Sequence, residues 1–530
     1  MRRRALLAGL AGLAGCSGLS GDGDPDQSGR TLTPAPVPTD TPRPTPDPFE
    51  RELGLAAAVF GFDALTGRTL ALNPPGYSRG GLTVRVRFAR EATAEEPARV
   101  GARLSLRAPG PVTAPFDLPP FAPRSRLTRQ DGSETDSATG TTACYLVPAP
   151  GSAFAERVPD VELASGSAGR FWRLAEPPRD WLPDRGEIPA DATLLGEFRL
   201  VAGPDATAPL AGRYVSEASA PAGLSLSAWD RDAPGPTVDS RFEGSTPPLP
   251  QGRATLWYHQ LSPRADVYLR PDVERVDPPA AVTLTLVNHS REAVRASDWA
   301  VYRLFDGDWY EVGPLFRDAT ARFVPPGGQH RWRFGLAHGP ASEVPGGFEP
   351  FDHRLGFLGG GRYGIAAGAT DDEDRPAALV ELVAPATTVR PTADATATRD
   401  GDRVVVETDP PRDDADDEPR TLVLDRLPLG DRTATPRPTV TEVGGGLPRL
   451  LPEQAMRSRG LRNTLPFVEG VEQVRLRTND GVTRGALRRV EFRTGGRRFR
   501  FGDGDFRVTV ESTREPVGTS EGTATRTGSE

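Results

Sequence analysis

Apolar and polar residues alternate with a period of two in short runs along most of this chain. In residues 82–88, Leu82, Val84, Val86 and Phe88 fall on one face, and Thr83, Arg85 and Arg87 on the other. That is the pattern of a strand with one face buried. Comparable runs occupy 103–107, 144–147, 196–200 and 224–229, and long helical periodicity is nearly absent. With 58 Gly and 55 Pro available to punctuate them, short strands at such spacing predict β-sandwiches. A first β-sandwich domain is expected over 51–232, followed by a Pro- and Gly-rich linker over 233–262.

A second domain is expected over 263–385. Residues 282–288 and 299–305 are predicted strands, and Asp306-Gly307-Asp308 is a tight turn into the strand 309–312. A second turn, Pro325 to Gly328, precedes His330, Trp332, Phe334 and Leu336, which share one face. Trp309 is expected in the core. The order Leu-Val-Asn288, Asp-Gly-Asp-Trp309-Tyr-Glu-Val, Pro326-Gly327, then Gly361-Arg362-Tyr363 resembles a bacterial immunoglobulin-like domain family found in extracellular lipoproteins. The resemblance covers about a fifth of the chain. It implies a sandwich fold and supplies no catalytic residue. The stretch 337–359 reads as an insert in that pattern.

The region 388–512 mixes acidic loops with strands at 403–407 and 421–424. Residues 452–460 predict a short helix, with Pro452 in its first turn, Glu453 early, Arg457 late and Gly460 just past its end. Residues 490–501 predict a hairpin turning at Gly495-Gly496, with Phe492 facing Phe499 and Val490 facing Phe501. The tail 513–530 has no apolar periodicity and is expected to be disordered. The expected fold class is all-β: tandem immunoglobulin-like β-sandwich domains with a mixed, mostly β C-terminal region, after a signal peptide and a Pro/Thr-rich linker.

The first residues change the picture from fold to location. Arg2, Arg3 and Arg4 precede an apolar run, 5–14, too short to span a bilayer. The run ends in Leu13-Ala14-Gly15-Cys16, which resembles the lipobox of bacterial and archaeal lipoproteins. The resemblance implies a signal peptide at 1–15, cleavage before Cys16 and a lipid on its sulfur. The doubled Arg also fits a twin-arginine export signal loosely. Within the linker 16–50, residues 31–48 are rich in Pro and Thr and predict an extended, semi-rigid stalk. The protein is therefore expected to be exported and lipid-anchored in the cell membrane, facing outside.

All 64 basic residues are Arg, and the formal charge is −8. Removal of Arg2, Arg3 and Arg4 with the signal takes it to −8 − 3 = −11. An acidic, Lys-free exported chain is similar to proteins of salt-loving archaea, and this balance weighs against broad nucleic-acid binding. Once Cys16 is assigned to the anchor, Cys144 is left alone, so no intramolecular disulfide is expected. Cys144 reads as a small buried strand residue.

Candidate chemistry is sparse. Gly76-Tyr-Ser78-Arg-Gly80 matches the nucleophile elbow, but Pro74-Pro75 precede it and a strand follows, so Ser78 is not expected to be catalytic. Gly359-Gly-Gly361-Arg-Tyr-Gly364 matches a dinucleotide fingerprint but opens no helix, and a turn into a strand is expected. His259, His289, His330, His338 and His353 lie in one stretch without zincin spacing. The acidic runs 371–374 and 413–418 lack the calcium-loop pattern. Asn288-His289-Ser290 is an N-glycosylation sequon at a strand end. The expectation is thus a binding or structural surface module with an unknown ligand or protein partner, not an enzyme, with no catalytic residue, cofactor or metal and no nucleic acid. The alternative is a secreted carboxylate-dependent hydrolase acting on surface polysaccharide or peptide.

Overall fold

The structure, a computed structural model, describes residues 58–512 except 107–111, 131–140, 153–154, 167, 189–192, 217–222, 251–252, 315–321, 345–350, 371–373, 410–417 and 429–446. The expected signal, Cys16, the stalk, the tail 513–530 and all but the last residue of each acidic run, 371–374 and 413–418, lie outside these residues. The fold is all-β, with each of the three predicted regions built on its own core. No described helix is long and apolar enough to cross a membrane.

The first region is built on a 12-stranded sheet that curls on itself, with a separate two-stranded sheet of Val112–Pro115 and Arg185–Ile188 beside it. Its first strand, Val59–Asp63, comes back to the end of Leu82–Arg90, where the Ala64 amide donates to the Ala92 carbonyl and the Ala92 amide to the Phe62 carbonyl. Inside lie the alternate residues that the sequence marks: Leu82, Val84 and Val86 from one strand, Val100, Ala102 and Leu104 from its neighbour, Leu226 and Ala228 from a third. Ala143–Pro148 is buried throughout its length, because both faces are covered. One face meets the main core. The other, Ala143, Tyr145 and Val147, meets Trp181 and Leu174 in a satellite core. Cys144 is buried on the inner face.

The second region is a sandwich. One sheet contains Val294–Phe305, Gly361–Ala369, Arg375–Leu382 and Asp308–Gly313; the other contains Val267–Pro271, Ala280–Asn288, Gln329–Leu336 and His353–Leu355. Leu284, Leu286, Trp332, Phe334, Ile365 and Val380 fill the space between them. Within the insert 337–359, His353–Leu355 pairs parallel to Gln329–Leu336.

The predicted linker over 233–262 is corrected here. Thr255–Trp257 joins the sandwich as a strand parallel to Arg375–Leu382. Phe242, Leu249 and Trp257 cover the outer face of the sheet, against Tyr302, Trp309, Ala366 and Leu379. Trp309 stacks on Trp257 at 5.4 Å, and its indole N–H donates to the Pro247 carbonyl at 3.0 Å. It is a core residue, but of this outer cluster and not of the space between the sheets. This Pro-rich chain is not a spacer, because its few aromatic residues are what the sheet buries.

The third region is a six-stranded mixed sheet: Thr396–Asp400, Arg403–Glu407, Gln473–Asn479, Pro419–Arg426, Gly504–Ser512 and Arg498–Phe501 in spatial order. Helices cover one face. The predicted helix 452–460 is two short ones, α1 (Pro452–Met456) and α2 (Arg459–Arg462). Ser458 restarts the chain by accepting the Leu461 amide. Gly460 lies inside α2, where a Cβ would stand 2.8 Å from that of Ala486.

The predicted hairpin 490–501 is wrong. Residues 480–494 form α3 (Asp480–Thr494), capped by the Asn479 side chain on the Val482 amide and ended by Gly495 at φ 68°. Val482, Ala486 and Val490 recur every four residues and are buried, while Phe492 is 52% exposed. The strand that follows pairs Phe499 with Phe506 and Arg500 with Asp505. The alternation of Val490, Glu491, Phe492 and Arg493 imitates a strand, but the two caps and the i, i+4 stripe decide the local structure.

Residues 236–385 are expected to unfold cooperatively and at a higher temperature than 263–385, because only the longer fragment retains Phe242, Leu249 and Trp257 over Trp309. In the longer fragment Trp309→Ala should cost about 3–5 kcal/mol. Thermal unfolding of the two fragments and the variant checks both; equal midpoints for the two fragments would show that the outer cluster adds nothing.

Candidate functional site

Ser78 lies on the exposed strand Gly76–Arg79, its Oγ 2.9 Å from Thr83 Oγ1. No His or carboxylate approaches within hydrogen-bonding distance of it among the described residues. The five His residues are dispersed. His259 meets Thr246, His289 the Pro234 carbonyl, His330 Arg322 and His338 the Leu358 carbonyl, while His353 stacks on Trp299 at 3.9 Å. Among the described residues, no three His, Cys, Asp or Glu side chains come together as a metal site would require. Burial pushes the Cys144 thiol up, away from the thiolate that reactivity needs.

The sequon reading of Asn288 is corrected by the structure. Its side chain is fully buried. The amide donates to the Glu292 carbonyl at 2.7 Å and the Val324 carbonyl at 2.9 Å, and Oδ1 accepts from the Ser290 amide and hydroxyl. Both amide hydrogens are in use, so a glycan on Nδ2 would break this turn and has no route to solvent. The sequon spacing places Ser290 where the turn needs it.

Two joints between the β regions gather the polar residues that sequence reasoning missed. At the first, Gly327 in the Pro325 to Gly328 turn sits against Ala71, Ser227 and Trp229 of the curled sheet, with φ 69°. The Ser227 hydroxyl donates to the Gly327 carbonyl. The His289 ring lies parallel to Trp229 at 4.7 Å and edge-on to Tyr268 at 5.8 Å. Burial lowers its pKa to about 4.

At the second joint, α1 and α3 meet the edge of the sandwich through charge. Arg303 pairs with Glu453, whose side chain is 1% exposed. Arg493 pairs with Glu311 at 3.0 Å, 2% and 10% exposed. The break between α1 and α2 turns Arg457 outward, so that its guanidinium donates to the carbonyls of Gly356 and Val312. Gln454 caps its own helix through the Leu451 amide and reaches the Glu311 carbonyl at 2.8 Å. The stretch 359–361 explains itself here. A Cβ on Gly359 would fall 2.5 Å from Arg303 and 2.7 Å from Glu453, and one on Gly360 would meet the Ala384 carbonyl. These glycines let the backbone approach an ion pair and a neighbouring loop.

An open groove of about 700 Å³ lies at one end of the C-terminal sheet. Asp400, Asp402, Asp425 and Glu472 line it with Arg403, Arg426 and Arg507. Asp425 is held by Gln473 at 2.8 Å and Arg507 at 3.3 Å, which ties it as an acceptor. The register sets this row: Arg403, Gln473, Asp425 and Arg507 lie side by side on four adjacent strands. Sequence spacing could not show it, since these residues are far apart in the chain.

No family model matches the chain, and no curated protein matches it significantly. Solved structures give faint likenesses. An alkylpurine DNA glycosylase of Pseudomonas fluorescens, bound to DNA containing an abasic-site analogue, is 14% identical over 23% of this chain and 31% of its own, with TM-score 0.14. A polysaccharide lyase is 7% identical over 60% and 35%, at 0.13. The red sea bream transglutaminase is 9% identical over 58% and 32%, at 0.12. The chain spans about a third of the length of each, and likeness this faint fixes neither fold nor chemistry.

Arg303→Met should cost about 3–5 kcal/mol, because it leaves Glu453 buried and unpaired, and Arg303→Met with Glu453→Met should recover most of the loss. Chemical denaturation of the three proteins checks this. His289 has a folded pKa below its unfolded value, so its contribution is complete above about pH 6.5 and is lost as pH falls towards about 4. The loss should be about 2 kcal/mol after allowance for solvent screening. His289→Phe, which keeps the stack, should flatten the stability profile across that window. An unchanged slope would remove His289 from the acid response.

Proposed function

We propose that this protein is a membrane-anchored extracellular lipoprotein that serves as a binding or structural surface module. The observation that carries the reading is the pair of filled joints: a ring stack and a glycine turn at one, a buried ionic seam at the other. Such joints hold three β regions in a fixed mutual arrangement, as a spacer or a ligand-presenting arm requires. The lipobox-like Leu-Ala-Gly-Cys16 and the Pro/Thr-rich stalk before the first strand support a tether at the N-terminal end. The two facing sheets of 263–385 support its membership of the immunoglobulin-like lipoprotein domains it resembles. The acidic, Arg-only composition supports a life in salt.

The groove favours a second reading. Asp400, Asp402, Asp425 and Glu472 in one concavity are what a carboxylate-dependent hydrolase of surface polysaccharide would use. The tie of Asp425 to Arg507 and Gln473 favours binding over proton donation there.

Cys16→Ser should release the protein from the membrane fraction or leave an uncut precursor on fractionation. Retention of the variant at the wild-type level would refute the anchor. Incubation of the purified protein with surface polysaccharide is expected to yield no new reducing ends. Their appearance, and their loss in Glu472→Gln, would give the groove to the hydrolase reading.

A further inference from the structure

The ionic seam between the sandwich and the C-terminal helices carries more positive than negative charge. Arg303 and Arg493 are matched by Glu453 and Glu311. Arg457 and Arg489 are the surplus. The Arg489 side chain is almost fully buried, and its Nη2 donates to the Arg457 carbonyl at 3.3 Å. The charges that act on Arg489 are Arg457 and Arg493, both repulsive. Those on Arg457 are the Tyr363 hydroxyl and Arg493, so no described carboxylate compensates either guanidinium. Burial, then repulsion from Arg457 and Arg493, lowers Arg489 to about 9; burial, partly opposed by Tyr363 and aided by Arg493, lowers Arg457 to about 10. Both therefore stay charged at neutral pH. An isolated buried charge costs several kcal/mol, and two like charges held together cost more.

Geometry limits what could compensate them. Carbonyls of Gly356, Val312, Pro314 and Arg457 already take guanidinium hydrogens from Arg457, Arg493 and Arg489. Arg457 Nη2 and Arg493 Nε are shut from solvent without a hydrogen-bond partner. These orphaned donors are enclosed in the joint, where a compact sphere is accommodated more readily than the several oxygens of a sulfate or phosphate.

We propose that the seam is a binding site for one small monovalent inorganic anion, a halide such as chloride, held between the guanidinium groups of Arg457 and Arg489 and closed by Arg493. The anion would complete the charge balance that lets α1 and α3 dock on the sandwich. Chloride stability would then be a property of this joint rather than of the surface.

The test uses the full chain and bromide as the probe. Crystals grown in bromide should show an anomalous peak in contact with Arg457 Nη2 and the Arg489 guanidinium. In solution, replacing fluoride by chloride or bromide at constant ionic strength should raise the unfolding midpoint saturably, by several degrees. Arg489→Gln should abolish that saturable part. No peak, or the same anion response in wild type and Arg489→Gln, overturns the proposal. So does a wild-type protein whose unfolding midpoint is indifferent to the anion. Should Arg489→Gln fail to fold, the bromide peak in the wild-type protein decides alone.

Discussion

The architecture of this protein depends on an arginine-rich seam that a β-sandwich and a helical face share. Arg303 comes from a central strand of the sandwich and Glu453 from the first turn of α1, and neither has another charged partner at comparable depth among the described residues. Taking such a pair from water costs nearly what the attraction returns, so its worth lies in fixing one docking arrangement over others. Much around it follows from that choice. The break between α1 and α2 places Arg457 over two sandwich carbonyls. The glycines at 359 and 360 clear space for the pair and for the neighbouring loop. The hydrophobic core continues across the same joint, where Leu451 packs into the sandwich cluster.

The opposite joint uses different chemistry for the same end. A flat imidazole–indole stack and a left-handed glycine join the curled sheet to the sandwich at close range. Without a disulfide to brace any of the three regions, each relies on burial, and each adds a satellite cluster or a covering layer. Trp181 lies over the outer face of the first sheet, Trp257 and Trp309 over the second, and α3 over the third. Large rings at these places bury much area for few residues, which suits a chain with only 7% aromatic content.

Polar residues divide between these joints and the open groove. The joints are buried and set by partners on different regions of the fold. The groove is open, with both signs of charge presented along a strand end, so it reads as a surface for contact. Exposed ion pairs such as Arg477–Glu407 on the same sheet contribute little to stability and leave that face polar.

The sequence by itself determined the strands wherever one face is buried. Leu82, Val84 and Val86 against Arg85 and Arg87 could satisfy only one arrangement, because a slip of one residue would bury the arginines. It also determined the tight turn at Asp306-Gly307, the core place of Cys144 and the likeness of the first residues to a lipoprotein signal. Tertiary structure alone decided the rest. The stretch 480–494 carries local helix signals in Asn479, Gly495 and the Val482, Ala486, Val490 stripe, but which sheet face that stripe covers is set by packing. Phe242 and Trp257 sit in Pro-rich chain whose fate depends on a sheet face assembled from strands elsewhere in the chain, the nearest of them Val294–Phe305. The ion pairs of the seam join residues 303 and 453, 311 and 493, and no local pattern brings such partners together. Asn288 shows the reverse error. A short motif suggested a surface modification, while the fold consumed every hydrogen-bonding group of that amide inside the domain.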